Sequence, residues 1–199
     1  MADDHGYRRS AGTARGQARR QDLLERVTED LAANGLQDFS LRRAARAAGT
    51  THKVLLYHFD GADELLVLAV LRLREKRISG GVAAAARLPT LSERIRAVWP
   101  VLSASPESAV LDQAIGLSMY DPGRYGELSR SASRQYLPTL FALCPDDWSE
   151  RRRLEVSEMI LATLRGFLVD LRTSHDVAGI EAGFDALTRA LDREEAAVD

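Results

Sequence analysis

A chain of 199 residues, 45% hydrophobic and 28% charged, has room for one good core or for a small domain joined to a larger one. That composition excludes the disordered and fibrous classes, and the longest apolar run, LLVLAVL at 65–71, is far too short to span a membrane. A net charge of −2 excludes a uniformly basic coat, but residues 5–59 hold ten Lys+Arg against five Asp+Glu while 60–199 hold seventeen against twenty-two. Such a dipolar chain implies a basic head for an anionic partner and an acidic body with another task.

Residues 1–18 are rich in Gly, Ala, Arg and Ser without an apolar period, and read as a flexible basic arm. They also lack the apolar core of a secretory signal, so a cytoplasmic chain is expected. From Gln21 the pattern turns helical: Leu23, Leu24, Val27 and Leu31 recur at three- and four-residue steps, and Asn34-Gly35 is a stop signal. Ser40 stands where an N-cap belongs, ahead of the helix-forming LRRAARAA. Gly49 breaks that helix, and the next is expected over 51–57. Two short helices joined by a glycine turn, with a longer helix in front, match a helix-turn-helix. A longer helix follows from residue 62 to about 78.

The rest reads as helical, punctuated at Gly80-Gly81, Pro89, Pro106, Pro122-Gly123 and Pro145, and no alternating β pattern occurs. Cys144, the only cysteine, sits between Leu143 and Pro145 and suits a small buried apolar position. Asp146-Asp147 are expected to cap a helix over 148–172, and the Arg151–Arg153 run reads as its solvated face. In that helix Leu154, Leu161, Leu164, Leu168 and Leu171 form one stripe, and Val156, Ile160 and Phe167 a second. A helix apolar on two faces needs cover twice. The last helix carries a stripe of Val177, Ile180, Phe184, Leu187 and Leu191 beside Ala182, Ala186 and Ala190. Two such helices from each of two chains could form a four-helix interface about a two-fold axis; packing inside one chain is the plainer alternative. The expected interface residues are Leu161, Arg165, Gly166, Leu168, Ile180, Phe184 and Leu187, with Gly166 allowing close approach.

The segment FSLRRAARAAGTTHKVLLYHFDGADELL (39–66), with the helix before it, is similar to the DNA-binding domain of TetR-family transcriptional regulators. The match covers about the first third of the chain. The resemblance implies an all-α fold, with a head over 19–63 and a ligand-binding and dimerisation body over 64–199. It assigns Thr51, His52, Lys53 and Val54 to the start of a recognition helix, where a helix-turn-helix meets base edges in the major groove. The chemistry agrees. Lys53 can donate to guanine O6 and N7, His52 to an acceptor such as N7, and Val54 offers methyls to thymine. Leu55 is the expected core anchor. Tyr57, His58, Ser40 and Arg42 are placed by the resemblance against phosphates, which fix register rather than sequence. Leu56 and Ala62 depart from the family's usual tyrosine and lysine, removing two backbone contacts. Compensation is expected from the arm's Arg8, Arg9, Arg15, Arg19 and Arg20.

By the same resemblance the body takes a small molecule that alters DNA binding, and the helix from Ala62 serves as lever. The pocket candidates are Trp99, Met119, Tyr136, Phe141, Met159, Thr163 and Phe167, each of which also suits plain core packing. That set implies a lipophilic ligand, uncharged or weakly charged. Arg165 could pair with an acid at the interface or meet a ligand carboxylate. The expected partners are therefore a double-stranded DNA operator, a second copy of the chain and a lipophilic ligand. No membrane, cofactor or metal is expected, because the four histidines form no close metal-spaced pair. No phosphate loop or nucleophile elbow is present. A helical adaptor whose head binds protein, or an enzyme built from distant residues, are the alternatives.

Overall fold

Short polar side chains set the helix boundaries in the head by serving free backbone groups. The computed structural model describes residues 13–104 and 106–197, leaving aside the side chains of 80–83 and 106. Among these residues the chain forms nine helices and no strand. Helix α1 (Ala14–Asn34) opens on Thr13, whose Oγ1 accepts from Gly16 N at 3.1 Å, and closes with Gly35 N donating to Leu31 O at 2.8 Å. Helix α2 (Leu41–Ala47) opens on Ser40, as expected, with Oγ accepting from Arg43 N. It ends where Gly49 N donates to Arg46 O and Thr50 N to Ala45 O, a paired closure that needs a left-handed residue at position 49. Gly49 supplies it at φ 60°. Helix α3 (His52–His58) then starts from Thr51, whose Oγ1 accepts from Val54 N at 3.4 Å.

Helix α1 starts seven residues before Gln21, inside the stretch expected to be an arm. Arg15, Arg19 and Arg20 are therefore helical residues rather than arm residues, and Arg8 and Arg9 lie outside the described residues. Arg20 is a brace within the head: it donates to His58 O and to Glu64 Oε1, both at 2.9 Å, and lies 4.7 Å over the Phe59 ring. Arg43 does the same for the first turn, donating to Asp30 Oδ2 at 2.7 Å, Gln37 O at 2.6 Å and Gly35 O at 2.9 Å.

The chain divides into two compact units. The first comprises the described residues of Met1–Leu73 together with Ala109–Ser129. It contains α1 to α3, the start of α4 (Ala62–Ala85), most of α6 (Pro106–Tyr120) and the first turns of α7 (Pro122–Leu143). The core joins Leu23, Val27, Leu31, Ala44, Leu55, Phe59 and Leu66 to Val110, Leu111 and Leu128. Gln113 Oε1 accepts from Leu36 N at 2.9 Å, and Arg124 grips Asp63 through two bonds of 2.8 Å. The head's core thus recruits residues from the segment expected to belong wholly to the body. Helix α4 continues through Gly80-Gly81 to Ala85, past the stop expected at residue 78.

The second unit comprises Arg74–Ser108 and Arg130–Asp199. Here α9 (Val177–Ala196) packs against α5 (Leu91–Ala104) and α8 (Glu150–Thr173). Their shared core includes Ile95, Val98, Ile160, Leu164, Phe184 and Leu191. The cap of α8 is Ser149, whose Oγ accepts from Arg152 N, and not Asp146 or Asp147. Of the arginine run only Arg151 is solvated, pairing with Glu155. Arg152 lies 4.2 Å over Trp148 and Arg153 4.2 Å over Phe141.

Close approach of α8 and α9 occurs at Gly183, while a Cβ at Gly166 would meet open space. At Gly183 a Cβ would stand 2.8 Å from Phe167 Cε1, and that ring is held between Trp99 and Phe184. Gly183→Ala gains about 1 kcal/mol of helix propensity, but overpacking costs about 1–3 kcal/mol. A lower denaturation midpoint is therefore expected, and a raised one would show that Phe167 moves freely.

Candidate nucleic-acid interface

Helix α3 keeps one side chain fully inside, Leu55, and leaves Thr51, His52 and Lys53 exposed at its start. Val54 is half-buried against the head's core, so only part of its methyl surface faces outward. Leu56 is 49% exposed. Thr51 has a second task as the N-cap, its oxygen engaged by Val54 N.

Arg42 and Arg46 stand one turn apart on the exposed side of α2. With Leu41, Ala45, Thr50, Thr51 and His52 they line an open concavity of about 510 Å³. Arg42, Arg46 and Lys53 form no ion pair among the described residues. Their neighbours Arg19, Arg20, Arg26 and Arg43 are all paired, with Asp22, Glu64, Asp22 and Asp30 respectively. Two of these uncompensated cations, Arg42 and Arg46, thus share one concavity with Thr51 and His52, and the third, Lys53, follows in the exposed first turn of α3. Arg46 was missing from the sequence-based candidates. In LRRAARAA it looks like an ordinary surface arginine, and only its lack of an acid sets it apart.

His58 points inward. Burial, then the Arg19 and Arg20 cations, hold its pKa below the usual histidine range, and Nδ1 is buried without a hydrogen-bond partner. A lowered pKa disfavours the cationic ring, so any phosphate contact by His58 would be a neutral N–H hydrogen bond rather than an ion pair. Tyr57 is half-buried, edge-on to His58 with centroids 4.8 Å apart. Ser40 Oγ is occupied as the cap of α2.

In the body, the pocket candidates separate. Trp99 and Phe167 come together with Phe184, at centroid distances of 5.2 Å for Trp99–Phe184 and 6.1 Å for Trp99–Phe167. Tyr136 is half-buried beside Arg77. Phe141 lies beneath Arg153, and Thr163 Oγ1 donates to Met159 O at 2.7 Å. Met159 is exposed, and Met119 is 78% exposed and belongs to the first unit. These two methionines are not part of an enclosed pocket wall.

The interface candidates change place as well. Leu161, Leu168, Ile180, Phe184 and Leu187 are buried within the chain's own core, so they have little surface left for a partner. Arg165 is half-buried and Gly166 exposed. The outward face of α8 instead carries Leu154, Met159, Ala162, Gly166 and Val169, and that of α9 carries Ala178, Ala182 and Ala186. Cys144 is buried, as expected, and desolvation raises its thiol pKa. Among the described residues no cluster of three or more His, Cys, Asp or Glu could hold a metal. No described helix is long and apolar enough to cross a membrane.

No protein-family model matches the sequence, and no curated protein matches it significantly. Solved structures do match in fold. A TetR-family transcriptional regulator from Cytophaga hutchinsonii aligns with a TM-score of 0.67 at 14% identity, over 90% of this chain and 96% of that one. One from Rhodococcus sp. aligns with a TM-score of 0.66 at 14% identity, over 88% and 97%. The regulator FadR from Bacillus subtilis, solved in complex with stearoyl-CoA, aligns with a TM-score of 0.59 at 13% identity, over 86% and 96%. Over most of its length, the chain has the fold of TetR-family transcriptional regulators.

Proposed function

We propose that this chain is a TetR-family transcriptional regulator that binds a palindromic DNA operator as a dimer, represses transcription there, and is released by a small molecule held in its helical body. The observation that carries the reading is the concavity in which the unpaired cations Arg42 and Arg46 meet Thr51 and His52, with the unpaired Lys53 next along the exposed start of α3. Arg42 and Arg46 at i and i+4 repel each other, an arrangement an external anion relieves. Phosphates along a duplex supply such an anion, and Lys53 with His52 then meets base edges. The outward faces of α8 and α9, small and apolar at Ala162, Gly166, Val169, Ala178 and Ala182, are the dimer surface in this reading. That FadR, of the same fold, was solved in complex with stearoyl-CoA supports a small-molecule ligand for this chain.

Selection of bound sequences from random double-stranded DNA by the purified chain tests the proposal. A palindrome is expected, with half-site centres about 34–36 Å apart or a multiple of that. Recovery of unenriched sequence would remove the DNA-reading function.

A further inference from the structure

Three arginines of the second unit gather where an all-helical core would ordinarily hold apolar side chains. Arg74 is 2% exposed, and its Nη1 donates to Ser131 Oγ at 3.0 Å. Arg77, one turn later on α4, is 8% exposed. Its Nη2 donates to Leu102 O at 2.9 Å, its Nε is buried with no partner, and its guanidinium lies 6.0 Å from the Tyr136 ring centre. Arg165 comes from α8, half-buried, with both Nη atoms 3.4 Å from Ser133 Oγ. That distance is the outer edge of hydrogen bonding.

Arg74 feels the other two cations. Burial is the main cause that brings it down to about 10; Tyr136 pulls upward by more than either neighbouring cation, and the Arg165 and Arg77 charges lower it further. At that value it stays protonated at neutral pH. Burial also lowers Arg165, while Tyr136 and the exposed Glu158 pull it upward. Arg77 forms no ion pair among the described residues. Buried charge is stable only where charge or hydrogen bonding meets it, and Arg77 Nε is a buried donor that no described protein group accepts. Guanidinium forks fit carboxylate and phosphate oxygens two at a time.

The surroundings define the remainder of the occupant. Tyr136 and Leu102 pack on the same core as Trp99 and Phe167, whose rings cluster with Phe184. Arg77 therefore lies beside Tyr136, on the core that also holds the aromatic cluster.

We infer that the helical body binds an amphiphilic anion, an apolar molecule carrying a carboxylate or phosphate that is met by the Arg77 and Arg165 guanidiniums. This names the ligand class of the proposed regulator, and so rests on that reading. It replaces the uncharged or weakly charged ligand that the aromatic candidates alone implied.

The test is calorimetric titration of the full chain, without DNA, with decanoate, decyl phosphate and decanol below their micellar concentrations. At least one anion is expected to bind about tenfold or more tightly than decanol, and the ranking of the two separates a carboxylate from a phosphate head. Arg77→Gln and Arg165→Gln are each expected to erase the preference while leaving decanol affinity unchanged. If Arg77→Gln does not fold, Arg77→Lys takes its place, with weakened anion binding expected from the lost fork. Equal affinity for decanol and both anions, a preference surviving both substitutions, or no binding of any probe would overturn the inference. Since DNA is absent, such a failure leaves operator recognition standing, and a failed DNA selection leaves this result readable.

Discussion

Lys53→Ala is expected to weaken operator binding by about 2–6 kcal/mol, or roughly 30-fold to 10⁴-fold, counting about 1–3 kcal/mol in each of two half-sites. Lys53 is exposed, unpaired and at the first turn of α3, so nothing in the fold depends on it. The substitution should relax sequence preference at one position per half-site and leave the denaturation midpoint within about 0.5 kcal/mol of the parent. Arg42→Ala/Arg46→Ala is the contrasting case. Those side chains line the concavity from α2, and the proposed docking gives them phosphates rather than base edges. Their loss should lower affinity evenly across sequences and flatten the log–log salt dependence by roughly 0.9 per phosphate contact removed. Competition binding across a salt series separates the two variants. If both lose affinity without a change in slope or preference, these cations do not form the DNA-binding surface.

The contrast between Arg46 and Arg43 shows what a sequence conveys about a site and what it withholds. Both lie in LRRAARAA and both look like surface arginines. Arg43 is tied to Asp30, Gly35 and Gln37 and is part of the fold, whereas Arg46 has no acid and is available to a ligand. That distinction depends on a tertiary partner thirteen residues away. The helix boundaries of the head were legible because their causes are local. Ser40 caps the helix it precedes, and Gly49 occupies the one left-handed position of its turn. The start of α1 was not legible, since a stretch rich in arginine and alanine has no apolar period. Thr13 alone marks its beginning.

The body shows a different limit. Periodicity identified stripes on α8 and α9 but carries no information about what covers them. Leu161, Leu168, Ile180, Phe184 and Leu187 are buried within the chain itself, and the smaller-residue faces of α8 and α9 are the ones left exposed. Gly166 was a reasonable choice for close packing by composition, yet the approach inside the chain occurs at Gly183. The buried arginines were the least legible feature of all. Arg74 and Arg77 sit in LRLREKR, whose charge density reads as a solvated helix face, and only the packing of that unit turns them inward.

Leu55→Ala is expected to destabilise the head by about 2–5 kcal/mol, a large share of the roughly 5–15 kcal/mol that holds a domain folded. Helix α3 is seven residues long, well below the ~12–15 at which an isolated helix becomes marginal in water. It therefore persists through packing, and Leu55, 0% exposed, is its one fully buried side chain. That side chain joins the cluster of Leu23, Val27, Ala44 and Phe59, which no neighbouring group is free to refill. The neighbouring Leu56→Ala removes an equal volume from a residue 49% exposed, and should change stability by about 0.5 kcal/mol or less. Hydrogen exchange over residues 41–59 reads the difference directly, with protection lost in Leu55→Ala and kept in Leu56→Ala. Operator binding adds the functional link: Leu55→Ala should weaken it although Leu55 meets no DNA, because Lys53 and His52 would no longer be held at a fixed angle. Equal protection in the two variants would mean that α3 is positioned by its turn and caps rather than by its single anchor.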